Sequence, residues 1–186
     1  MLGDSLSAAY GIPLEKGWVA LLQERIRSQG YPHRVVNASV SGETTAGGAS
    51  RMPAALQKHK PALVLIELGA NDALRGLPLK AMRGNLSRMV GLSRKAGAEV
   101  LLFEMRMFEN YGRSYADEFH RSFRQVADAE KVTLVPFFMS GIVLDPKNFQ
   151  QDGLHPTLEV QPKLLDAVWP SLVPLLKTTT ARSPAP

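Results

Sequence analysis

The sequence contains no cysteine, which excludes disulfide bonds, thiolate metal sites and a cysteine nucleophile. That absence fits either a reducing or an oxidising compartment. No apolar run approaches the length of a membrane-spanning helix, and nothing ahead of Gly3 has the character of a signal peptide. The composition therefore indicates an ordinary soluble globular protein whose chemistry uses side chains other than thiols.

Clustered positive charge is also absent, although the chain is basic overall. It carries 22 Lys and Arg against 17 Asp and Glu, which gives a formal charge of +5 and a pI near 9.6. No basic run is longer than Arg94-Lys95, whereas electrostatic binding to a phosphate backbone usually needs a stripe of positive charge. We therefore expect no nucleic-acid partner.

The length of 186 residues suits one domain with a full core, and the apolar share of 45% is ordinary for globular proteins. We expect this domain to span residues 1–177 and to be a monomer. From Thr178 onward the chain has nothing to bury, so residues 178–186 are expected to form a disordered tail.

Apolar runs alternate with helical periodicities along the chain. The clearest strand is 62–68, a continuous apolar run typical of a central parallel strand covered on both faces. Further strands are predicted at 1–2, 34–38, 99–105 and 133–135, and helices at 18–26, 52–57, 79–93, 115–126 and 160–172. We expect Pro170 to kink or end the last helix. Fivefold alternation of strand and helix predicts an α/β fold with a doubly wound parallel sheet.

Polar loops follow the predicted strands. They carry Ser5, Ser41-Gly42, Asn71 and the segment 152–155. Right-handed crossovers bring all the strand-end loops of a parallel sheet to one edge, where ligands bind. Residues that are far apart in the sequence are therefore expected to form one cluster.

Ser5 is the candidate nucleophile of this cluster. It follows a short apolar segment and precedes an expected helix start, so its N–H would face an anion at a helix N-terminus. A serine hydroxyl is a poor nucleophile until a base takes its proton. His155 is the candidate base, and Asp152 is spaced to hold the imidazole tautomer and to stabilise the imidazolium.

Acyl transfer also needs donors aimed at the developing oxyanion. The main-chain N–H of Ser5 can supply one donor. Gly42 can supply a second because a residue without Cβ lets its N–H approach a substrate closely. The side-chain amide of Asn71 would be the third.

Each candidate also has a simpler interpretation. Ser5 could cap a helix, and Asn71-Asp72 could be a helix N-cap pair. Asp152 and His155, with Asp4, could form part of a metal site. The lack of a second histidine at a suitable loop position disfavours the metal site.

Four sequence blocks, taken together and in order, resemble those of the SGNH (GDSL) hydrolases. They are Gly-Asp-Ser-Leu at 3–6, Asn-Ala-Ser-Val-Ser-Gly-Glu-Thr at 37–44, Gly-Ala-Asn-Asp at 69–72 and Asp-Gly-Leu-His-Pro at 152–156. The likeness is closest to the bacterial branch of acyl-thioesterase I, lysophospholipase and arylesterase proteins. It covers nearly the whole chain up to Lys177.

The resemblance implies a five-stranded, flavodoxin-like three-layer α/β/α sandwich without metal or cofactor. It implies an esterase and thioesterase with Ser5 as nucleophile, His155 as base and Asp152 as its orienting partner. The implied oxyanion donors are Ser5, Gly42 and Asn71. It also implies export to the periplasm or secretion. We expect contacts to the acyl substrate from Arg106, Met107, Phe108, Tyr111 and Leu154.

Three features depart from that branch. Ala70 stands where a second glycine is usual, and 107–109 replaces a stretch that usually carries a proline in the substrate-gating loop. Only Met1 and Leu2 remain for the first strand, whereas strands usually have about five or six residues. We therefore expect that upstream residues are missing, and we expect the loop 106–113 to close over the acyl chain.

Three other functions stay open on the sequence alone. A carbohydrate O-acetylesterase of the same superfamily would prefer acetylated sugars to longer acyl chains. A catalytically silent flavodoxin-like binding module would share the fold without the chemistry. Metal-dependent hydrolysis would be lost with a chelator.

Overall fold

Four parallel strands form one sheet in the computed structural model, which describes residues 1–107 and 112–179. The strands are β1 (Leu2–Gly3), β2 (Leu63–Glu67), β3 (Glu99–Phe103) and β4 (Thr133–Val135). Their spatial order follows their order in the sequence, and every neighbouring pair is parallel. The predicted α/β class with a parallel sheet is confirmed.

Six α-helices flank this sheet within the described residues. They are α1 (Trp18–Ser28), α2 (Thr45–His59), α3 (Ala70–Leu74), α4 (Leu79–Lys95), α5 (Arg113–Glu130) and α6 (Gln161–Thr178). Helix α1 packs on α6, whereas α2 packs on α4 and α4 packs on α5. The long helices therefore form two groups, both packed around the sheet.

The centre of the hydrophobic core lies on β2 and β3. Ile66, Leu102 and Phe103 are fully buried, as expected for strands covered on both faces. The ring of Trp18 in α1 lies 5.9 Å from the rings of Phe103 and Phe138, and those two rings meet edge-on at 5.5 Å. This aromatic cluster holds the start of α1 against the sheet.

The predicted fifth strand at 34–38 is not a regular strand. Three main-chain hydrogen bonds join this part of the chain to β1: Met1 N to Val36 O at 2.8 Å, Ala38 N to Met1 O at 2.9 Å, and Val40 N to Gly3 O at 3.0 Å. Because β1 has only two residues, the ladder ends before a regular strand can form. The chain nevertheless passes outside β1 and returns to β2 on the other side, which creates a topological switch point between β1 and β2.

Ser5 does not lie at a helix start, so that part of the prediction was wrong. Residues 5–10 form consecutive turns, and the first α-helix begins at Trp18. Ala9 has a φ of 58° and Gly11 a φ of 73°, and these left-handed values cannot continue a right-handed helix. The Ser5 hydroxyl is therefore presented by a turn directly after β1.

The last helix does not end at Pro170, which was one of the two outcomes expected there. Helix α6 runs through Pro170 and Pro174 to Thr178. Val168, Leu172 and Leu176 are buried on either side of the prolines, and this packing offsets the missing main-chain bonds. Thr178, where the disordered tail was predicted to begin, is the last residue of α6. Residues 180–186 of that predicted tail lie outside the described residues.

Gly69, which precedes α3, gives a test of the packing around the switch point. It has a φ of 124°, and a Cβ at this position would lie 2.9 Å from Cζ of Phe123. We expect Gly69→Ala to lower the free energy of unfolding by about 1–3 kcal/mol. Urea denaturation measures the change.

Gly91→Ala is the matched control, because Gly91 lies within α4 and a Cβ added there would meet no other group within 4 Å. Gly91→Ala should raise the free energy of unfolding by about 0.5–1 kcal/mol, because alanine has a higher helix propensity than glycine. Equal effects of the two substitutions would contradict this account of Gly69.

Candidate active site

Two segments that are far apart in the sequence meet at the carboxyl edge of the sheet. Oγ of Ser5, directly after β1, lies 2.8 Å from Nε2 of His155. Nδ1 of the same imidazole lies 2.6 Å from Oδ2 of Asp152. The structure thus brings together the predicted nucleophile, base and orienting carboxylate in one hydrogen-bonded series.

The loop that carries Asp152 and His155 is held by its own main chain. Oδ1 of Asp152 accepts hydrogen bonds from Leu154 N at 2.9 Å and from His155 N at 3.0 Å. Gly153, which directly follows Asp152, has a φ of 68°. Gln150 N donates to His155 O at 2.8 Å, which closes the loop at its base. The three-residue spacing in the sequence therefore corresponds to a turn built on the Asp152 carboxylate.

Two contacts join this loop to the Ser5 turn. Nε2 of Gln150 donates to Tyr10 O at 2.8 Å, and the Tyr10 ring lies 4.4 Å from the imidazole of His155. The packed ring limits the orientations open to the imidazole. Neither Tyr10 nor Gln150 was predicted, because nothing in its sequence neighbourhood distinguishes a ring or amide that contacts a distant loop.

The electrostatics favour an ionised Asp152. Burial alone would raise its pKa, but the hydrogen bonds from the His155 main chain and ring and from Leu154 N outweigh burial. Together they lower the pKa of Asp152 from 3.8 to about 2. A carboxylate at this position can stabilise a positively charged imidazole.

The other two predicted oxyanion donors, Gly42 and Asn71, line the same cavity as Ser5 and His155. Within residues 1–107 and 112–179, neither Ser5 N nor Gly42 N donates a hydrogen bond to another protein group. Nδ2 of Asn71 donates to Oδ2 of Asp4 at 3.1 Å, which leaves the second amide hydrogen for a ligand. Gly42 has a φ of 77°, a conformation that favours glycine, so the residue type fits the position.

Asp72 connects the Asn71 helix to the Gly42 loop. Its carboxylate accepts from Thr45 N at 2.8 Å and from the Thr45 hydroxyl, at the start of α2. The interpretation of Asp72 as an N-cap of its own helix was wrong, since it lies inside α3 and stabilises the N-terminus of α2 instead. Arg75 adds a further contact, because its guanidinium donates to Gly42 O at 2.9 Å.

A cavity of about 730 Å³ opens beside Ser5. Three of the predicted substrate contacts line it, namely Arg106, Met107 and Leu154, whereas Phe108 and Tyr111 lie outside the described residues. Much of the remaining wall is apolar: Leu6, Ala70, Leu74, Met105, Phe137, Met139, Val143, Leu144 and Phe149. The segment 137–149, which has no clear periodicity in the sequence, thus contributes much of this wall.

Two buried carboxyl groups lie behind the Ser5 turn, and only one of them, Asp4, stood out in the sequence. Asp4 is 1% exposed and Glu67 is fully buried. Burial raises the pKa of Asp4 to about 6 and raises that of Glu67 well above its ordinary value. Glu67 belongs to the apolar run of β2, and an acidic residue inside such a run is itself a signal of a buried polar site.

The described part of the chain offers neither a metal site nor a membrane span. No group of three or more His, Cys, Asp or Glu side chains among residues 1–107 and 112–179 could hold a metal ion. No helix built from those residues combines the length and the apolar character needed to cross a membrane.

The fold and the site define a class of protein. A serine, histidine and aspartate in series, beside main-chain and amide donors at the switch point of a parallel sheet, form the constellation of serine hydrolases. The chain belongs to the GDSL-like lipase/acylhydrolase family, which matches residues 1–161.

Similar proteins agree with this assignment. Esterase TesA of Pseudomonas aeruginosa is 51% identical over 95% of this chain and 88% of its own length. Thioesterase 1/protease 1/lysophospholipase L1 of Escherichia coli is 40% identical over 95% of this chain and 83% of its own length. The crystal structure of TesA has a TM-score of 0.91 and 50% identity, and covers 94% of this chain and 97% of that chain.

The Asp152 carboxyl should titrate with a midpoint near pH 2 rather than near 3.8. Its pKa is lower in the folded state, so its hydrogen bonds contribute stability that is complete above the unfolded value and lost as the pH falls through the folded one. Carboxyl carbon NMR with labelled aspartate measures the midpoint.

A His155→Ala variant gives the matched comparison for this titration. It removes the ring hydrogen bond and keeps the two main-chain donors, so the midpoint should rise only part of the way to 3.8. A wild-type midpoint at the ordinary value would contradict the account of the loop.

Proposed function

We propose that the protein hydrolyses acyl esters and thioesters through a covalent acyl-enzyme on Ser5. The observation that carries the proposal is the hydrogen-bonded series Ser5–His155–Asp152, of which Ser5 and His155 line a largely apolar cavity. Arylesters, acyl-thioesters and lysophospholipids are the expected substrates. The similarity to proteins named esterase and thioesterase 1/lysophospholipase L1 supports this range.

The reaction begins when Oγ of Ser5 attacks the acyl carbonyl carbon and Nε2 of His155 takes the hydroxyl proton. The carbonyl π electrons move to oxygen and form a tetrahedral oxyanion. Its collapse breaks the bond to the leaving alcohol or thiol, which receives the proton from the imidazolium. Water then repeats the sequence on the acyl-enzyme, releases the carboxylic acid and restores Ser5.

The oxyanion is proposed to bind to Ser5 N, Gly42 N and Nδ2 of Asn71. Ser5 N and Gly42 N donate to no other protein group in the part of the chain that the structure describes, and the Asn71 amide lies beside them. These donors support the assignment, because preorganised donors need no rearrangement as charge develops. The ionised Asp152 would hold the Nδ1 proton of His155 during both proton transfers.

The acyl chain is proposed to lie along the apolar wall that contains Met107 and Leu154. Arg106 lies at the same wall, where its guanidinium is 6.0 Å from the ring centre of Phe137, and Phe108 and Tyr111 are proposed to complete the site. Enclosed apolar surface favours an aliphatic or aromatic acyl group over a polar one.

The fold is proposed to be a single flavodoxin-like α/β/α domain over residues 1–177, with 36–40 beside β1 in the place of a fifth strand. The protein is proposed to act as a monomer in the periplasm or after secretion, as its resemblance to an exported branch implies. The chemistry above uses only the chain's own groups, so neither metal nor cofactor is assigned a role, and its dispersed basic residues argue against a nucleic-acid partner.

Ser5→Ala is the direct test of the proposed function. Removal of the nucleophile should lower the turnover of p-nitrophenyl esters by at least about a thousandfold. Circular dichroism should show an unchanged fold, because Ser5 lies in a turn at the cavity wall. A folded variant that retains turnover would refute the acyl-enzyme.

An acyl-chain series distinguishes this function from carbohydrate O-acetylesterase activity. kcat/KM for p-nitrophenyl esters should rise from acetate towards octanoate, by up to about fourfold for each methylene that becomes buried. A preference for acetylated sugars over the longer esters would favour the alternative.

Val143→Trp tests whether the chain occupies the described cavity. Val143 lines the cavity, so the larger side chain should shift the preference to shorter esters. Leu14→Trp adds the same side chain at a 63% exposed position that does not line the cavity, and should keep the wild-type series. Identical series for both variants would contradict the proposed acyl site.

A further inference from the structure

Glu67, at the end of β2, is a buried titratable residue that takes no part in the reaction described above. Oε2 accepts from the Ser7 hydroxyl at 2.7 Å and from Asp4 N at 3.3 Å. Oε1 is buried and has no hydrogen-bond partner in the described part of the chain. The side chains of Glu67 and Asp4 are within hydrogen-bonding reach of each other.

Two ionised carboxylates buried together at this site would have a high electrostatic free energy. No Lys or Arg within residues 1–107 and 112–179 forms an ion pair with Asp4 or Glu67. Both groups have lost their water, and each would repel the other. One proton held between them removes the repulsion and supplies the donor that a pair of carboxylates lacks.

The hydrogen bonds around the pair place that proton on Glu67. Asp4 accepts at both oxygens, Oδ1 from Leu6 N at 3.0 Å and Oδ2 from Nδ2 of Asn71 at 3.1 Å. Both donors to Glu67 lie on Oε2, so its Oε1 is the oxygen that is left to carry a proton. Glu67 is the more fully buried of the two, and burial followed by the charge of Asp4 raises its pKa. Both observations favour Glu67 as the partner that carries the proton.

We propose that Glu67 is a positioning residue for the oxyanion hole: its carboxyl group donates a hydrogen bond to Asp4 and thereby orients the carboxylate that holds the Asn71 amide. The inference rests on the proposed function, because Asn71 is an oxyanion donor only if the protein is an acyl hydrolase. Gly3 leaves room for this arrangement, since a Cβ there would lie 2.7 Å from Oε2 of Glu67.

Infrared spectroscopy tests the proton directly and does not depend on catalysis. At pH 8 the wild-type protein should show the C=O stretching band of a protonated carboxyl group, and Glu67→Gln should remove it. Labelling glutamate with ¹³C should shift that band, whereas labelling aspartate should leave it in place. Absence of the band, or a shift on labelling aspartate instead, would overturn the proposal.

Kinetics of two variants of similar size test the positioning role. Glu67→Gln keeps a donor for Asp4 and an acceptor for Ser7, so kcat should stay within about threefold of wild type. Glu67→Met keeps the volume and removes both functions, so kcat should fall about 30- to 100-fold with little change in KM. A purely space-filling role predicts the opposite order, with the apolar variant at least as active as the amide.

A double-mutant cycle identifies the route of the effect. In an Asn71→Ala background, Glu67→Met should lower kcat by less than about threefold further, because the amide that Glu67 positions is already gone. Independent, multiplicative losses would overturn the proposed route.

Should Glu67→Met fail to fold, the infrared band and the kinetics of Glu67→Gln test the proposal. Should the folded wild type hydrolyse no ester, the proposed function fails, and the infrared band alone still supports or refutes the proton on Glu67.

Discussion

The site depends on one hydrogen bond between two distant segments of the chain, from the Ser5 hydroxyl to Nε2 of His155 at 2.8 Å. The two residues are 150 positions apart, so the bond exists only if the whole sheet and both helix groups are in place. The cluster around Trp18 anchors the chain after the Ser5 turn, and the Gln150 amide joins that turn to the His155 loop. Stability and catalytic geometry are therefore coupled at this point.

Carboxyl groups with opposite pKa shifts surround this bond. Asp152 lies at the rim, where a ring and two main-chain donors lower its pKa. Asp4 and Glu67 lie behind the turn, where burial raises the pKa values of both. Under the proposals above, the same chemical group would have different tasks at the two places: Asp152 would stabilise the imidazolium, and the proton shared by Asp4 and Glu67 would fix the Asn71 amide.

Much of this organisation was predictable from the sequence, because long periodic segments and the order of the strand-end loops are local signals. The continuous run that became β2 and the spacing of Asp152 and His155 are examples. The turn after Ser5 resembles a helix start in sequence because positive φ values at a residue such as Ala9 leave no compositional mark.

Features that depend on tertiary packing were missed or mispredicted for a related reason. Helix α6 passes Pro170 because burial of its neighbours outweighs local propensity, and 34–38 is irregular because its partner β1 has only two residues. The pairing of Asp72 with Thr45 and that of Glu67 with Asp4 join distant segments, so no short stretch of sequence reveals them.

A crystal structure of the protein after reaction with a fluorophosphonate tests the central claim most directly. The account predicts phosphorus bound to Oγ of Ser5, with the phosphonyl oxygen about 2.7–3.1 Å from Ser5 N, Gly42 N and Nδ2 of Asn71. An adduct on another residue, or one whose phosphonyl oxygen faces solvent away from all three donors, would contradict it.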